Sequence, residues 1–425
     1  MSKSDWYKLD NAAKIIPSTA TGADTRVFRM VCELREDVDP EILQNALDRT
    51  MPAFPYLNSY LRKGVFWYYL ESTTQRALVE EEHLPALEAL YIPDRKNLLF
   101  RVFWYRRRIS VEMYHALADG TGGFVFLRHL VGEYLTEKYG LDRTLLTQDI
   151  ASLEEKQTDA FRKFYRDARE VTSRNWLREL HPVRACQLKG QKDPDLRLHL
   201  TEGTVSVREM LQLAHEKHVT IGILTASIYI EAVIRMMDHR DLRRPVVIGV
   251  PVNLRQFFPS ATMRNFYGVI NVRYLPEHYD GTLESIIQEV SDSFEEQLSR
   301  EKIFYTMNSY AALEHNWGIK MVPLVIKDRF ISLFSSRRGG SVTTSLSNVG
   351  KVELPQEYAP YVEKFCGYMS CKTVFVCILT YGDQMVFGFV SAFLRHSLER
   401  NFFRRLTELG IHVEIGSNDY DREEN

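Results

Sequence analysis

The sequence predicts a mixed α/β (α+β) protein with sheet and helix in both halves. Three observations carry this expectation. Strand-like and helix-like periods alternate between Arg26 and Tyr139. A stretch over 182–200 then loses its period, because Pro182, Gly190, Pro194 and mixed charge interrupt it. Beyond it strands and helices resume, and a length of 425 residues suits two or three domains. The expected organisation is an N-terminal lobe over 1–181, a connector over 182–200 and a C-terminal lobe over 201–425.

The first half opens with a strand over Arg26 to Leu34. Asp39-Pro40-Glu41 then supplies a cap, a proline at the first helical position and an early acid. Ile42, Leu43, Ala46 and Leu47 follow at helical spacing. Pro55 to Leu61 and Val65 to Leu70 read as strands joined around Gly64. Leu98 to Tyr105 and Ile109 to Tyr114 read as a hairpin turning at Arg106-Arg107-Arg108, a solvated turn or a cationic patch for phosphates. Phe126, Leu127, Leu130, Val131, Tyr134 and Leu135 mark one face of a helix over Gly122 to Tyr139. His129 on this helix reads as packing or surface.

In the second half, Val207 to His218 and Ile221 to Met237 read as helices. Val246 to Val252 is a strand apolar enough for burial on both faces, and Phe266 to Tyr274 is another. Leu283, Ile286, Ile287, Val290 and Phe294 give a helix over Thr282 to Arg300 its apolar face. Arg337-Arg338-Gly339-Gly340 reads as a basic loop after Phe330 to Phe334, able to touch the phosphates of a lipid or another ligand or simply to face water. Lys372 to Thr380 and Met385 to Ala392 form a hairpin across Tyr381 to Gln384, and Ser397 caps a last helix to Leu409.

Composition excludes several classes. Apolar residues make up 45% and charged residues 26%, which rules out a disordered tail, a collagen-like chain or a rod. With 54 Lys and Arg against 56 Asp and Glu, the net charge is −2, and a nucleic-acid partner is not expected. The five cysteines are odd in number and form no CxxC, against a disulfide framework or zinc ribbon. Cys371 and Cys377, six apart, are expected on one strand face as core. Met1 to Lys14 holds no apolar leader, and no run nears the ~18 apolar residues that cross a bilayer. The expected setting is cytoplasmic, with no transmembrane segment and a peripheral membrane contact left open.

The chemistry concentrates in Val111 to Gly123, where a strand runs into His115, a small-residue loop follows, and a helix begins. A strand end places an imidazole in an exposed loop over a rigid sheet. Asp119 can fold back toward the same turn, and Gly120, Gly122 and Gly123 allow positive φ or close approach. A chain of this composition should contain about 0.03 copies of His-x-x-x-Asp-Gly by chance. Two plainer readings compete: a core histidine beside a solvated Asp, and a His/Asp metal pair. The metal pair needs a third ligand, and no partner motif lies nearby, so no metal is expected. Gly120-Thr121-Gly122-Gly123 lacks the third glycine of a dinucleotide loop. Gly350-Lys351 has Ser345 where a phosphate loop requires glycine, and no Gly-x-Ser-x-Gly occurs.

His115-Ala-Leu-Ala-Asp119-Gly120 resembles the HxxxDG motif of the chloramphenicol-acetyltransferase-like superfamily. That group includes alcohol acetyltransferases, plant-type HxxxD acyltransferases, polyketide-associated acyltransferases and peptide-synthetase condensation domains. Ile248 to Arg255 is similar to the family's Gly-x-Pro-Val-x-x-Arg segment, and Asn265 to Val272 to the strand that follows it. Ser347-Asn348-Val349-Gly350 is similar to its later Ser-Asn-x-Gly segment, which also reads as a plain turn. The likeness spans about residues 10–410 and, with Trp6 to Asp10, looks most like bacterial alcohol-acetyltransferase-type proteins. Tyr114 stands where condensation domains carry an extra His, and the Asp-Phe-Gly-Trp-Gly segment of plant enzymes is absent.

The resemblance implies two αβ sandwich lobes with a tunnel between them, and an acyl group moved from acyl-CoA to an alcohol hydroxyl. His115 would be the general base, with Asp119 and Gly120 completing the motif. Arg255 would pair with Asp119 to hold the loop, unless it is a surface cation, and Ser347 and Asn348 would donate to the oxyanion. No cofactor would be bound permanently, acyl-CoA being a co-substrate. The alternatives are an amine acceptor, a carrier protein presenting a phosphopantetheine thioester, or a non-catalytic binding protein on the same fold.

Overall fold

The computed structural model describes residues 6–83, 85–148, 155–156, 158–165, 184–315 and 321–418. Pro182 of the expected connector lies outside the described residues. The strands of the first half are β1 (Trp6–Lys8), β2 (Val27–Leu34), β3 (Ser59–Lys63), β4 (Tyr68–Ser72), β5 (Val79–Glu81), β6 (Phe100–Tyr105) and β7 (Arg108–Tyr114). Those of the second half begin with β8 (His199–Ser206), β9 (Val246–Asn253), β10 (Tyr267–Tyr274) and β11 (Thr344–Lys351). They end with β12 (Val362–Met369), β13 (Val374–Tyr381), β14 (Gln384–Ser391) and β15 (Glu414–Ser417).

Two main sheets organise the molecule. One has the order β12-β2-β7-β6-β5, the other β10-β9-β11-β13-β14-β8-β15, and β1-β4-β3 forms a small third sheet. Each main sheet has its own apolar core. The helix Gly120–Tyr139 lies on β2 and β7 and packs against the helix Pro40–Thr50. Across the other sheet, Ile221–Ile234 packs against Leu283–Gln297 and Ser397–Glu408.

Strand β12 joins the two layers. It comes from the second half yet pairs antiparallel with β2 along the edge of the first sheet. It also crosses β13 and β14 of the second. The crossing is tight because two glycines meet there: a Cβ on Gly388 would lie 2.2 Å from the carbonyl oxygen of Gly367. Absence of a side chain lets the two backbones touch.

Local chemistry explains the agreement with the sequence at several places. The Asp39 side chain accepts from the backbone N–H groups of Glu41 and Ile42, so Pro40–Thr50 starts where the cap predicts. The hairpin between β6 and β7 turns on Arg106 and Arg107 alone, with Arg106 at a φ of 48° and Arg108 already in the strand. Leu283, Ile286, Ile287 and Val290 are buried, as the apolar period requires.

Other expectations are corrected. The predicted strand from Pro55 starts as a 3-10 turn over Pro55–Leu57, since Pro55 has no backbone donor for a ladder and suits the first position of a helical turn, and β3 starts at Ser59. The connector ends sooner than 200, because β8 starts at His199. The last helix is capped from position His396, without a side-chain bond, and Ser397 is its first residue. Cys371 precedes β13 and so does not share a strand face with Cys377, although both are buried. All five thiols are free, and burial pushes each above its ordinary pKa. The expected basic loop Arg337 to Gly340 is instead the end of the helix Leu324–Arg338 followed by a 3-10 turn over Gly339–Ser341.

No single helix among the described residues is long and apolar enough to cross a membrane.

Candidate active site

His115 sits one residue beyond β7, and its backbone N–H donates to the carbonyl of Arg26 at 2.9 Å. Arg26 itself has a φ of 59°, a left-handed conformation that strains the backbone of a residue other than glycine and clusters at functional sites. The ring lies edge-on to Phe28 (5.2 Å between centroids) and tilted against Tyr267 (5.5 Å). It is half-buried and opens on a cavity of about 230 Å³ between the two main sheets. One wall carries Phe28, Met30, Gly120 and Phe124, and the opposite wall Val252, Tyr267, Ser347 and Phe375. Burial holds the His115 pKa below the ordinary histidine value, outweighing the attraction of the Asp119 charge.

The imidazole orientation is set by Asn265. Its Oδ1 lies 2.9 Å from His115 Nδ1, while its Nδ2 donates to Asp10 Oδ2 at 3.0 Å and to the His115 carbonyl at 3.0 Å. Two acceptors on the Nδ2 side fix which end of the amide faces the ring. Nδ1 must then carry the proton, and Nε2 keeps the lone pair. Asp10 is fully buried and also accepts from the backbone N–H groups of Ala13 (2.7 Å) and Asn265 (3.3 Å). Burial raises its pKa, against the Arg264 charge and these hydrogen bonds.

Asp119 caps the helix that follows the loop. Its carboxylate accepts from Gly122 N at 2.9 Å, Phe266 N at 2.9 Å and Arg255 Nη1 at 2.7 Å. A second contact to Arg255 Nη2 at 3.3 Å makes the pair bidentate. The rest of the guanidinium is satisfied by the carbonyls of Thr262 (2.9 Å) and Arg264 (2.7 Å) and by Asn253 Oδ1 (3.2 Å). Arg255 is thus a buried clamp on the loop and not a surface cation. The bonds of Asp119 go to this clamp rather than to the imidazole.

The loop glycines act by closeness, not by unusual dihedrals: Gly120, Gly122 and Gly123 have no positive φ and begin the helix. A Cβ on Gly122 would lie 1.9 Å from the carbonyl oxygen of Met263, so the helix start abuts the segment leading to β10. Ser347 and Asn348 fall in β11, where a bulge between Asn348 and Gly350 replaces the plain turn. Both line the cavity, Ser347 half-buried and Asn348 exposed. Asn348 Oδ1 accepts from Gly350 N at 3.0 Å, and Gly350 takes a φ of 94°.

Tyr114 does not reach the cavity. It is core, tilted against Tyr91 at 5.7 Å. His129 packs edge-on to Phe54 at 5.5 Å. A second cavity, of about 720 Å³, shares Arg29 and Tyr368 with the first and continues past them. Arg29 is held there by Glu82, Glu112 and Ser110, and Tyr368 donates to Glu202 at 2.9 Å. Among the described residues no group of three or more His, Cys, Asp or Glu is placed to hold a metal ion. Asp10 and Asn265 are site residues that the sequence does not signal, because no local spacing joins positions so far apart.

No family model matches the sequence, and no curated protein matches it. Solved structures do match the fold. TRI101 of F. graminearum, complexed with coenzyme A and T-2 mycotoxin, aligns over 97% of this chain and 100% of its own at 11% identity, TM-score 0.64. A mutant of the starter condensation domain of rhizomide synthetase RzmA, in complex with C8-CoA, aligns over 95% and 94% at 12% identity, TM-score 0.62. Polyketide synthase associated protein 5 from Mycobacterium tuberculosis aligns over 96% and 99% at 15% identity, TM-score 0.59. The chain shares the two-lobed mixed α/β fold of these solved structures over nearly its whole length.

Proposed function

We propose that this protein transfers an acyl group from acyl-CoA to the hydroxyl of an alcohol, with His115 as general base. The observation that carries the reading is the tautomer that Asn265 imposes on an imidazole facing an inter-sheet cavity. A neutral Nε2 can take the hydroxyl proton as the oxygen attacks the thioester carbonyl. The proton then passes to the departing thiolate, and no acyl-enzyme forms. Ser347 can donate to the tetrahedral oxyanion, as can the Asn348 amide, whose Oδ1 is already engaged by Gly350. Holding both substrates in one cavity supplies the entropic part. Asp119 and Arg255 are positioning residues that fix the loop, and Gly120 lets it reach the cavity wall.

Structures of similar fold complexed with coenzyme A or C8-CoA support acyl-CoA as co-substrate. The core position of Tyr114 supports a free-standing enzyme over a condensation-type one. Five free, buried thiols suit a reducing cytoplasm. The test is thiol release from short and long acyl-CoAs across a panel of alcohols and amines. Release that depends on an alcohol is expected. Release only with amines, only from a carrier-protein thioester, or not at all would replace the reading by one of its three alternatives.

Asn265→Ala is expected to lower kcat by at least about tenfold with little change in KM, because the ring loses its fixed tautomer. Steady-state kinetics on the folded variant check this, and an unchanged kcat removes Asn265 from the mechanism.

A further inference from the structure

The helix Leu324–Arg338 is built the wrong way round for a helix facing water. Two adjacent charged residues, Lys327 and Asp328, turn inward. The Lys327 ammonium is buried, donates to the Phe66 carbonyl at 3.1 Å and lies 3.5 Å over the Trp67 ring. Asp328 accepts from Ser18 Oγ at 2.6 Å and Tyr68 Oη at 3.0 Å. The outward face is apolar instead: Val325 (56% exposed), Ile326 (46%), Phe330 (68%), Leu333 (53%) and Phe334 (48%). The β3–β4 turn extends it, since Leu324 N bonds to the Val65 carbonyl at 2.9 Å and Val65 is 73% exposed. Such a contiguous apolar surface marks a contact with something other than water.

Charge identifies the occupant. Asp328 is the helix's one acid, and it is spent inward on Ser18 and Tyr68. Lys63, half-exposed next to the turn, lies 3.5 Å from Asp328 and balances that acid, so the helix's own Arg329, exposed beside the apolar residues, and the Arg337 and Arg338 that end it give the face its net positive charge. Large apolar side chains among cations describe a helix that lies in a bilayer interface and draws anionic headgroups. A second copy on a two-fold axis would bring the same cations together. We propose that this helix and the β3–β4 turn dock the protein on a membrane surface containing anionic phospholipid. The helix runs through Gly339–Ser341 directly into β11, the strand that brings Ser347 to the cavity. Docking would therefore set the cavity close to the lipid. The proposal does not depend on the reaction assigned above.

The test is co-sedimentation of the full chain with vesicles of phosphatidylcholine alone and with vesicles containing phosphatidylglycerol. Binding to the anionic vesicles is expected, at least about tenfold tighter than to the zwitterionic ones and weakened by salt. Phe330→Glu with Leu333→Glu should weaken it by about a hundredfold or more. Arg329→Gln, a milder surface change, should weaken only the preference for anionic lipid, and circular dichroism checks that each variant is folded. Absence of vesicle binding, equal binding to both vesicles, or undiminished binding by the double variant overturns the proposal. So does concentration-dependent dimerisation that the double variant abolishes without any vesicle binding, since a second copy then covers the face.

Discussion

His115→Ala is expected to lower acyl transfer by about 10²–10⁴ while the protein stays folded. The side chain faces a cavity, so its loss leaves no new hole in the core. Its one side-chain hydrogen bond, to Asn265, leaves behind an amide that still bonds to Asp10 and to the residue 115 carbonyl. What disappears is the lone pair that accepts the proton. The pH dependence gives an independent reading. The base works only when neutral, so kcat/KM rises with pH as the imidazole loses its proton, then levels off. Burial lowers the folded pKa, so the midpoint of that rise falls below the ordinary histidine value of 6.5. The same shift has a stability consequence of defined sign. The unfolded chain binds the proton more readily, so this group costs stability as pH falls below its unfolded pKa, and the cost is complete below the folded one. Near-normal turnover in the alanine variant, or a rise centred above the ordinary value, would sink the assignment.

Asp119→Ala and Arg255→Ala are each expected to destabilise the fold by about 3–5 kcal/mol. Both side chains are buried, with 6% and 11% of their surface exposed. Removing Arg255 strands a carboxylate among two backbone N–H groups and leaves the carbonyls of Thr262 and Arg264 without that donor. Removing Asp119 strands a cation and uncaps the helix Gly120–Tyr139. Once one partner is gone, losing the other should cost much less. Denaturant unfolding of both single variants and the double should therefore show strong coupling. Additive losses would mean that each residue acts alone. Activity should fall with loop geometry in both variants, since the loop carries His115.

The His115 loop is legible because its parts are neighbours in sequence. Strand, His115, Asp119 and small residues lie within one short run, and Arg255 followed from a resemblance that the ion pair matches in space. Asp10 and Asn265 carry no such signal, being joined only through folding. Among the strands, β9 and β13 announce themselves by apolar runs, whereas β8 places Thr201, Glu202 and Thr204 in a buried setting and so carries no apolar run to mark it. Glu202 is tolerated there because Lys364, Arg108 and Tyr368 meet it. Strand β11 escaped notice because serine and threonine fill it and a bulge breaks its alternation. The helix Leu324–Arg338 hid for the opposite reason: Lys327 and Asp328 face the protein while apolar residues face outward, which spoils the expected period.

The loan of β12 to the first sheet has a consequence for biosynthesis. Val27 to Leu34 emerges from the ribosome early, but its edge partner, Val362 to Met369, is translated more than 300 residues later. Until then β2 has an open side, a ready template for wrong pairings. Contacts this distant in sequence close slowly. A nascent chain halted at the end of the first half would therefore hold a sheet with a missing margin, and the two halves made as separate polypeptides should stay soluble only when they are produced together.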